Sequence, residues 1–385
     1  MVKNLKDLMA KFADESKCRE FLAQQRWNGV PECPKCGGTK VYNIQNGKRF
    51  KCANNKCYYR FSVTMGTVFE ASNIPLSTWF PAMYLIISHK KGISSVQLAK
   101  DLGVTQKTAW FMLHRIRESL REKGSSLLSN VVEVDEVYIG GKVGNMSRTK
   151  RTSMRTENGG TVNNKIMVIG MLEREGKLRL VVSGKADRSN ETIMPIVRKN
   201  IDKSSCVITD TSSNYMSLQN EFAVHEMVNH SANEFVRSGI IHTNSIEGAF
   251  SLFKRSIIGI YHQLSPKHLS KYCDETAYRY NTRKMNDGQR FEMSLTNLLG
   301  RLSYKELIKE TELTNECVIA PKLPAQIIMN SGIKREIYQI SEGKVMAKYP
   351  SLIEAEKITG IKMQGISKVL RGLRSKSGGY EWKYA

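Results

Sequence analysis

The sequence has no apolar run long enough to cross a membrane. Its most apolar stretch, around Met83–Ser88, falls far short of the roughly 20 residues that a helical span requires. The first residues, Met1-Val-Lys-Asn-Leu-Lys-Asp, lack an apolar core and a small-residue cleavage site, which argues against a secretory signal. The expectation is a cytoplasmic protein with no membrane partner. No internal repeat is visible, which leaves out repeat architectures. Acidic residues are scarce: 36 Asp and Glu against 59 Lys and Arg leave a formal charge of +23 over 385 residues. A neutral partner fits that excess poorly. A polyanion such as nucleic acid fits it well, because each neutralised phosphate releases condensed counterions.

Eight cysteines are present, but four cluster within Cys33–Cys57 and four are scattered singly. In a reducing compartment such clustering points to metal rather than to disulfides. Cys33-Pro-Lys-Cys36-Gly-Gly and Cys52-Ala-Asn-Asn-Lys-Cys57 are two short-spaced pairs with fifteen residues between them. Each pair can form a knuckle, and two knuckles close one tetrahedral site of four thiolates. With no position left for water, the ion expected is a structural Zn2+. Ribbon strands are expected at Lys40–Ile44 and Arg49–Lys51. A ribbon this small has little core, so metal should supply much of its folding energy.

Residues 1–28 carry apolar Leu5, Leu8, Met9 and Phe12 at helical spacing. Residues 75–122 show helical periodicity broken at Lys91-Gly92 and Leu102-Gly103. The segment from Gly92 to Arg117 fits a helix-turn-helix: Ser94 or Ser95 caps a short helix, Gly103 makes the turn, and Thr105 caps a second helix. Early residues of that second helix, Gln106, Lys107 and Thr108, would face DNA. Val96, Leu98, Ala99, Leu102, Val104, Ala109, Met112, Leu113 and Ile116 supply the expected interior. An ordinary helical hairpin would share these features.

Strands and helices alternate from Val131 to about Tyr280. Strands are expected at Val131–Ile139, Lys165–Glu173, Leu178–Ser183, Cys206–Thr209 and Ala223–Val228, and helices at Glu191–Asn200 and Ser245–His262. The stretch Lys142–Lys165 reads as a long basic loop in which Arg148, Lys150, Arg151 and Arg155 could follow a DNA backbone. On the first strand Glu133 and Asp135 share a face and Glu136 points the other way. An acid on a buried strand is costly unless paired or metal-bound, which singles out Asp135. Asp210 ends a second apolar strand. On the helix near Ser245, residues Ile246, Phe250, Phe253 and Ile257 form the buried stripe, whereas Asn244, Glu247, Ser251 and Lys254 lie on another face, followed by Arg255. Asn244 and Glu247 also have the spacing of a capping box.

These motifs, with Arg26–Gly29, Gly66–Glu70, Leu76–Phe80, Gly92–Ser95, Thr108–Trp110, Glu133–Glu136, Gly140–Lys142, Val228–Ser231, His242–Gly248, Tyr272–Glu275 and Arg279–Asn281, resemble the insertion-sequence transposases of the group numbered fifteen ninety-five, also called the ISXO-type family. The resemblance runs to about residue 285. It implies an α/β chain, an RNase H-like mixed sheet with flanking helices preceded by a zinc ribbon and a helix-turn-helix; the small α+β module expected after it lies outside that pattern. It implies a DDE transposase, in which Asp135 and Asp210 are the first two carboxylates and Glu247 or Asn244 is the third residue. Glu247 is the first choice, and Lys254 would contact phosphate or DNA. The implied cofactor is Mg2+ or Mn2+. Two such ions about 4 Å apart would cut DNA and align a freed 3′-hydroxyl for strand transfer. The implied partners are element ends and target, both double-stranded DNA, bound by a homo-oligomer in association with the nucleoid.

The domains expected are 1–70 (N-terminal helix and ribbon), 71–125 (helix-turn-helix), 126–285 (catalytic), 286–337 (linker) and 338–385 (C-terminal module). In the last, a strand, two short helices with Ser351 as a cap, and a closing strand are expected, and Lys368 and Arg371 would touch DNA. This tail resembles the NUMOD-type DNA-binding modules appended to homing endonucleases. Two rival readings are a catalytically inactive, domesticated DNA-binding regulator and a homing-type endonuclease. The second rests on the tail alone.

Overall fold

The computed structural model describes residues 2–309 and 337–384, apart from positions 46, 123–125, 142, 158–164, 184–188, 230–235, 238–240, 297, 299, 342–343, 351 and 371–373. The chain divides into two compact units, Met1–Pro321 and Lys322–Ala385.

The first unit begins with α1 (Leu5–Lys11) and α2 (Glu15–Trp27), two helices where one was expected. Asn4 and Asp14 explain the break, since each side chain accepts a backbone N–H of the helix that follows it. Met9, expected on the apolar face, is exposed. A three-stranded ribbon follows, built from β1 (Val41–Ile44), β2 (Arg49–Cys52) and β3 (Arg60–Phe61). The interrupted periodicity of residues 75–122 becomes α3 (Leu76–Ser88), α4 (Ser95–Leu102) and α5 (Gln106–Leu120).

A five-stranded sheet uses β4 (Val131–Ile139), β5 (Ile166–Glu173), β6 (Leu178–Val182), β7 (Cys206–Asp210) and β8 (Val224–Val228), in the order β6-β5-β4-β7-β8. The first three strands pair antiparallel; β4 with β7 and β7 with β8 are parallel. Between β4 and β5 lies α6 (Arg148–Glu157), where the sequence led us to expect a loop. The Gly and Asn residues that signalled a loop flank this helix, and its own ten residues contain neither Gly nor Pro. α7 (Asn190–Asn200) joins β6 to β7, and α8 (Asn244–Ser256) and α9 (Leu269–Asn281) follow β8. α8 ends at Ser256 and passes into a π-helical turn at Ile257–Tyr261, short of the expected continuous helix.

Strand alternation sorts this sheet into two faces. Val132, Val134 and Val207 point toward Ile193 and Val197 of α7. Val137, Val168 and Leu172 point toward Ile246, Phe250 and Phe253 of α8 and Leu269 of α9.

The expected boundaries at 70 and 285 do not follow the packing. Leu8, Leu22, Phe80, Met83, Leu98 and Leu113 share one core with Phe291 and Leu295 of α10 (Asp287–Thr296), which falls in the expected linker. Phe80 meets Phe291 with ring centroids 5.6 Å apart, and the Leu298 carbonyl accepts the Val68 N–H. α11 (Tyr304–Ile308) closes the described part of this unit, starting from a capping box between Ser303 and Glu306. No helix among the described residues is long and apolar enough to cross a membrane.

The second unit contains β9 (Ile337–Ser341), β10 (Lys344–Tyr349), α12 (Leu352–Thr359), α13 (Met363–Leu370) and β11 (Glu381–Tyr384). Its antiparallel order is β10-β9-β11, so it holds one strand more than expected. Ile337, Tyr349, Ala355, Ile366 and Trp382 form its core. The expected cap Ser351 lies outside the described residues.

Candidate metal centres and DNA-facing surface

In the ribbon, one ligand atom from each of Cys33, Cys36, Cys52 and Cys57 lies within 4.8 Å of all the others. Cys33 Sγ is 3.8 Å from Cys57 Sγ, and Cys36 Sγ is 3.5 Å from Cys52 Sγ. Four sulfurs at about 2.3 Å from a tetrahedral Zn2+ would stand about 3.8 Å apart, so the donor set fits that ion. The knuckles aim backbone N–H groups at the sulfurs: those of Lys35 and Cys36 at Cys33, that of Gly38 at Cys36, and that of Asn54 at Cys52. Gly37 makes the tight turn with φ of +72°. Burial pushes the Cys33 thiol up, and each thiol must give up its proton to bind zinc. The small ribbon core is Phe50 stacked on Phe61, with Trp27 of α2 edge-on to both.

α4 and α5 are two helices joined by a short turn, with the expected caps. Ser94 accepts the Gln97 N–H at 3.1 Å, Gly103 takes φ of +65°, and Thr105 accepts the Thr108 N–H at 3.2 Å. Val96, expected inside, is 54% exposed, because it lies on the outer side of a short helix whose inner side is Leu98 and Ala99. Gln106 and Lys107 are exposed and Thr108 is half-buried. Gln106 Nε2 donates to Ser95 Oγ at 2.8 Å, and the Lys107 ammonium lies 5.1 Å from the centroid of the Tyr304 ring.

α5 is fastened to α9 through buried charge, which sequence reasoning did not find. Arg117 Nε donates to Glu275 Oε2 at 2.6 Å, and Tyr261 and Arg279 donate to Glu275 Oε1. Burial alone would raise the Glu275 carboxyl, but Arg279 and Arg117 hold it below its ordinary value. Gly92 packs on this cluster with φ of +88°, where a Cβ would stand 1.9 Å from the Tyr261 hydroxyl. The signal available in the sequence was the spacing of Glu275 and Arg279, one helical turn apart.

Asp135 of β4 and Asp210 at the end of β7 lie on the sheet face that α8 and α9 cover. Continuing the β4–β7 register from Glu133↔Ile208 by two residues sets Asp135 beside Asp210. Both point to the face covered by α8, as alternation from Val137 and from Val207 requires. Burial pushes the Asp135 carboxyl up to about 7; the Glu136 N–H opposes this, and the charges of Glu136, Asp210 and Glu247 add to it. The charges acting most strongly on Asp135 are thus all carboxylates. Such a set is short of positive charge, and its oxygen donors suit Mg2+ or Mn2+. The Ser212 N–H donates to Asp210 Oδ1 at 3.1 Å, and the buried Tyr215 hydroxyl donates to Glu136 at 2.5 Å on the opposite face.

Asn244, Glu247, Ser251 and Lys254 all lie on the exposed side of α8, with Arg255 next to them. The capping box does not form. Thr243 occupies the N-cap position and Asn244 is already helical, while Glu247 accepts from the Thr243 hydroxyl at 3.2 Å. The cap comes from Glu133, whose carboxylate accepts the N–H groups of Ser245 and Ile246. On α6, Arg148 and Arg155 are exposed and Arg151 is half-buried. The side chains of Lys150 and Lys368, and all of Arg371, lie outside the described residues.

The ribbon cysteines and the mixed five-stranded sheet each fall within a segment that matches a known family. Residues 13–60 match the transposase zinc-ribbon domain, and residues 127–281 match the ISXO2-like transposase domain. More particularly, the chain is similar to an uncharacterized protein in transposable element ISH50 of Halobacterium salinarum. The two are 29% identical over 252 residues, which cover 63% of this chain and 83% of the relative.

Proposed function

We propose that the chain is a DDE transposase with an RNase H-like catalytic domain, which binds the ends of a mobile element and carries out metal-dependent DNA cleavage and strand transfer. One observation supports this reading: Asp135 and Asp210, on the neighbouring parallel strands β4 and β7, share the face covered by α8, whose first turn bears Glu247. Asp135, Asp210 and Glu247 would hold Mg2+ or Mn2+, which when bound supplies charge neutralisation at a phosphodiester and activation of the attacking oxygen. The residues themselves position. β4 and β7 set the first two carboxylates, α8 brings the third, and Lys254, two turns further along the same face of α8, meets DNA phosphate. No covalent protein intermediate is needed.

Recognition of the element ends falls to the ribbon and to Gln106, Lys107 and Thr108. Arg148, Lys150, Arg151 and Arg155 of α6 and Arg255 of α8 track the backbone, and in the C-terminal module Lys368 and Arg371 do the same. That module is read as NUMOD-like, and the working form as a homo-oligomer on nucleoid DNA. The intact acidic set favours an enzyme over a catalytically silent regulator.

The test is a strand-transfer assay with the element's own ends, Mg2+ or Mn2+, and a chelator control. Joined product that requires the ion supports the reading. Tight, end-specific binding without any joined or cleaved product in either ion would reject it. Affinity for both end-containing and random duplexes should fall steeply as salt rises, given the charge of +23.

A further inference from the structure

Glu133 has no part in the chemistry proposed above, yet its side chain is fully buried on the sheet face that carries Asp135. A carboxylate in such a place is costly unless its oxygens are satisfied. Oε2 accepts the N–H groups of Ser245 and Ile246, each at 3.0 Å. Oε1 accepts Arg174 Nε at 2.8 Å and faces His242 Nδ1 at 3.4 Å. Three donors thus satisfy the carboxylate, and the His242 ring stands beside it. Arg174 Nη2 also donates to the His242 carbonyl at 3.0 Å, which ties the segment leading into α8 to the same cluster. Thr243 offers no side-chain cap, so the first turn of α8 is capped from a strand more than a hundred residues earlier, with negative charge at the positive end of the helix dipole.

Two rigid elements therefore meet at Glu133. Asp135 lies two residues further along the strand, on the same face. Glu247 lies one residue past Ile246 on the helix. We propose that Glu133 is a positioning residue, which with Arg174 and His242 locks α8 against β4 and so sets the spacing between Glu247 and Asp135 without itself holding the ion. Arg174 marks the difference from Asp135. The Glu133 charge is neutralised by a guanidinium, whereas the strongest charges on Asp135 are carboxylates. This inference rests on the catalytic reading of Asp135 and Glu247.

The experiment uses the full chain as Glu133→Gln, Arg174→Gln and Asp135→Asn. The amide of Glu133→Gln can still accept from the helix, but only by turning its NH2 toward the Arg174 donors. Arg174→Gln breaks the same lock from the other end and serves if Glu133→Gln fails to fold. Three quantities are read: amide hydrogen exchange across the first turn of α8, Mn2+ affinity by titration, and cleavage kinetics on end DNA. Both lock variants should exchange at Ser245 and Ile246 about tenfold faster or more. Their kcat should drop about 10–100-fold with KM for DNA unchanged, and they should retain measurable Mn2+ binding, as loss of an orienting partner predicts. Unchanged exchange and kinetics would overturn the proposal. So would loss of Mn2+ binding in Glu133→Gln as complete as in Asp135→Asn, since Glu133 would then be a ligand. Full cleavage by Asp135→Asn would instead remove the catalytic reading, and the exchange data would still decide whether Glu133 holds the helix.

Discussion

Gly170 stands directly opposite Asp135 across the β4–β5 ladder, and a Cβ at Gly170 would lie 2.6 Å from the Phe250 ring and 2.8 Å from the Ile246 side chain. Cross-strand partners point to the same face, so the space left by the missing side chain is what lets α8 rest on the sheet beside the carboxylate. The glycine is there for clearance, since its φ is not positive.

Gly170→Ala should accordingly push α8 outward. Ile246 and Phe250 are buried and have little room to yield, so overpacking should cost about 1–3 kcal/mol. Urea unfolding measures this directly. A variant as stable as the parent would mean that α8 is not seated as closely as the structure shows.

The junction of α5 and α9 should make the protein acid-sensitive. His114 is fully buried with neither ring nitrogen hydrogen-bonded, 4.6 Å from the His268 ring. Burial holds His114 down to about 2 and His268 down to about 4, with nearby Arg and Lys charges adding to both. Both pKa values are depressed in the fold, so their contribution is complete above the unfolded value near 6.5 and is lost as pH falls below it. Each group should remove up to about 1.4 kcal/mol per pH unit between about 6 and 4. His114→Phe keeps an aromatic ring against Trp110 and Tyr272 but cannot take a proton. It should flatten the acid limb of a stability–pH curve; an unchanged limb would assign the acid sensitivity elsewhere.

How far the sequence foretold these features depended on whether the cause was local. Strand limits were legible to within a residue or two because β-branched residues alternate and turns interrupt them, as at Val131–Ile139. The cysteine knuckles and the caps at Ser94 and Thr105 were legible because each motif closes within a few residues. What escaped notice needed a distant partner. Phe291 and Leu295 gave no strong period, and their partners Phe80 and Met83 lie about two hundred residues earlier. Glu133 was visible as a strand acid, but Arg174 and the α8 amides that satisfy it are brought there only by the sheet. The Asn244–Glu247 spacing misled for the same reason: a local cap was available on paper, and a remote carboxylate had already taken its place.

The ribbon should carry about one zinc per chain by elemental analysis. Cys33→Ser with Cys52→Ser should lose it, and the β1–β3 hairpins should then unfold, since Phe50, Phe61 and Trp27 are a small core. Binding must displace thiol protons, so zinc affinity should weaken as pH falls. Stoichiometric zinc in the double variant would remove the assignment.

The carboxylate face gives the sharpest test. Asp135→Ala and Asp210→Ala should each lower cleavage and strand transfer by at least about a hundredfold to a thousandfold, the scale of losing one preorganised electrostatic group. Affinity for the element ends should hardly change, because the helix–turn–helix is fastened through Arg117 and Glu275 to α9, on a different part of the unit from β4 and β7. Between Glu247 and Asn244 the structure removes one ambiguity. Neither takes part in a capping box, and the first turn of α8 is capped by Glu133, so Ala at either position should leave stability within about 0.5 kcal/mol of the parent. Activity then separates the two residues without a folding artefact. If Glu247 is the third group, Glu247→Ala should match the aspartate variants and Asn244→Ala should be milder. The reverse order would move the third position to Asn244, and full strand transfer by Asp135→Ala would end the three-residue reading altogether.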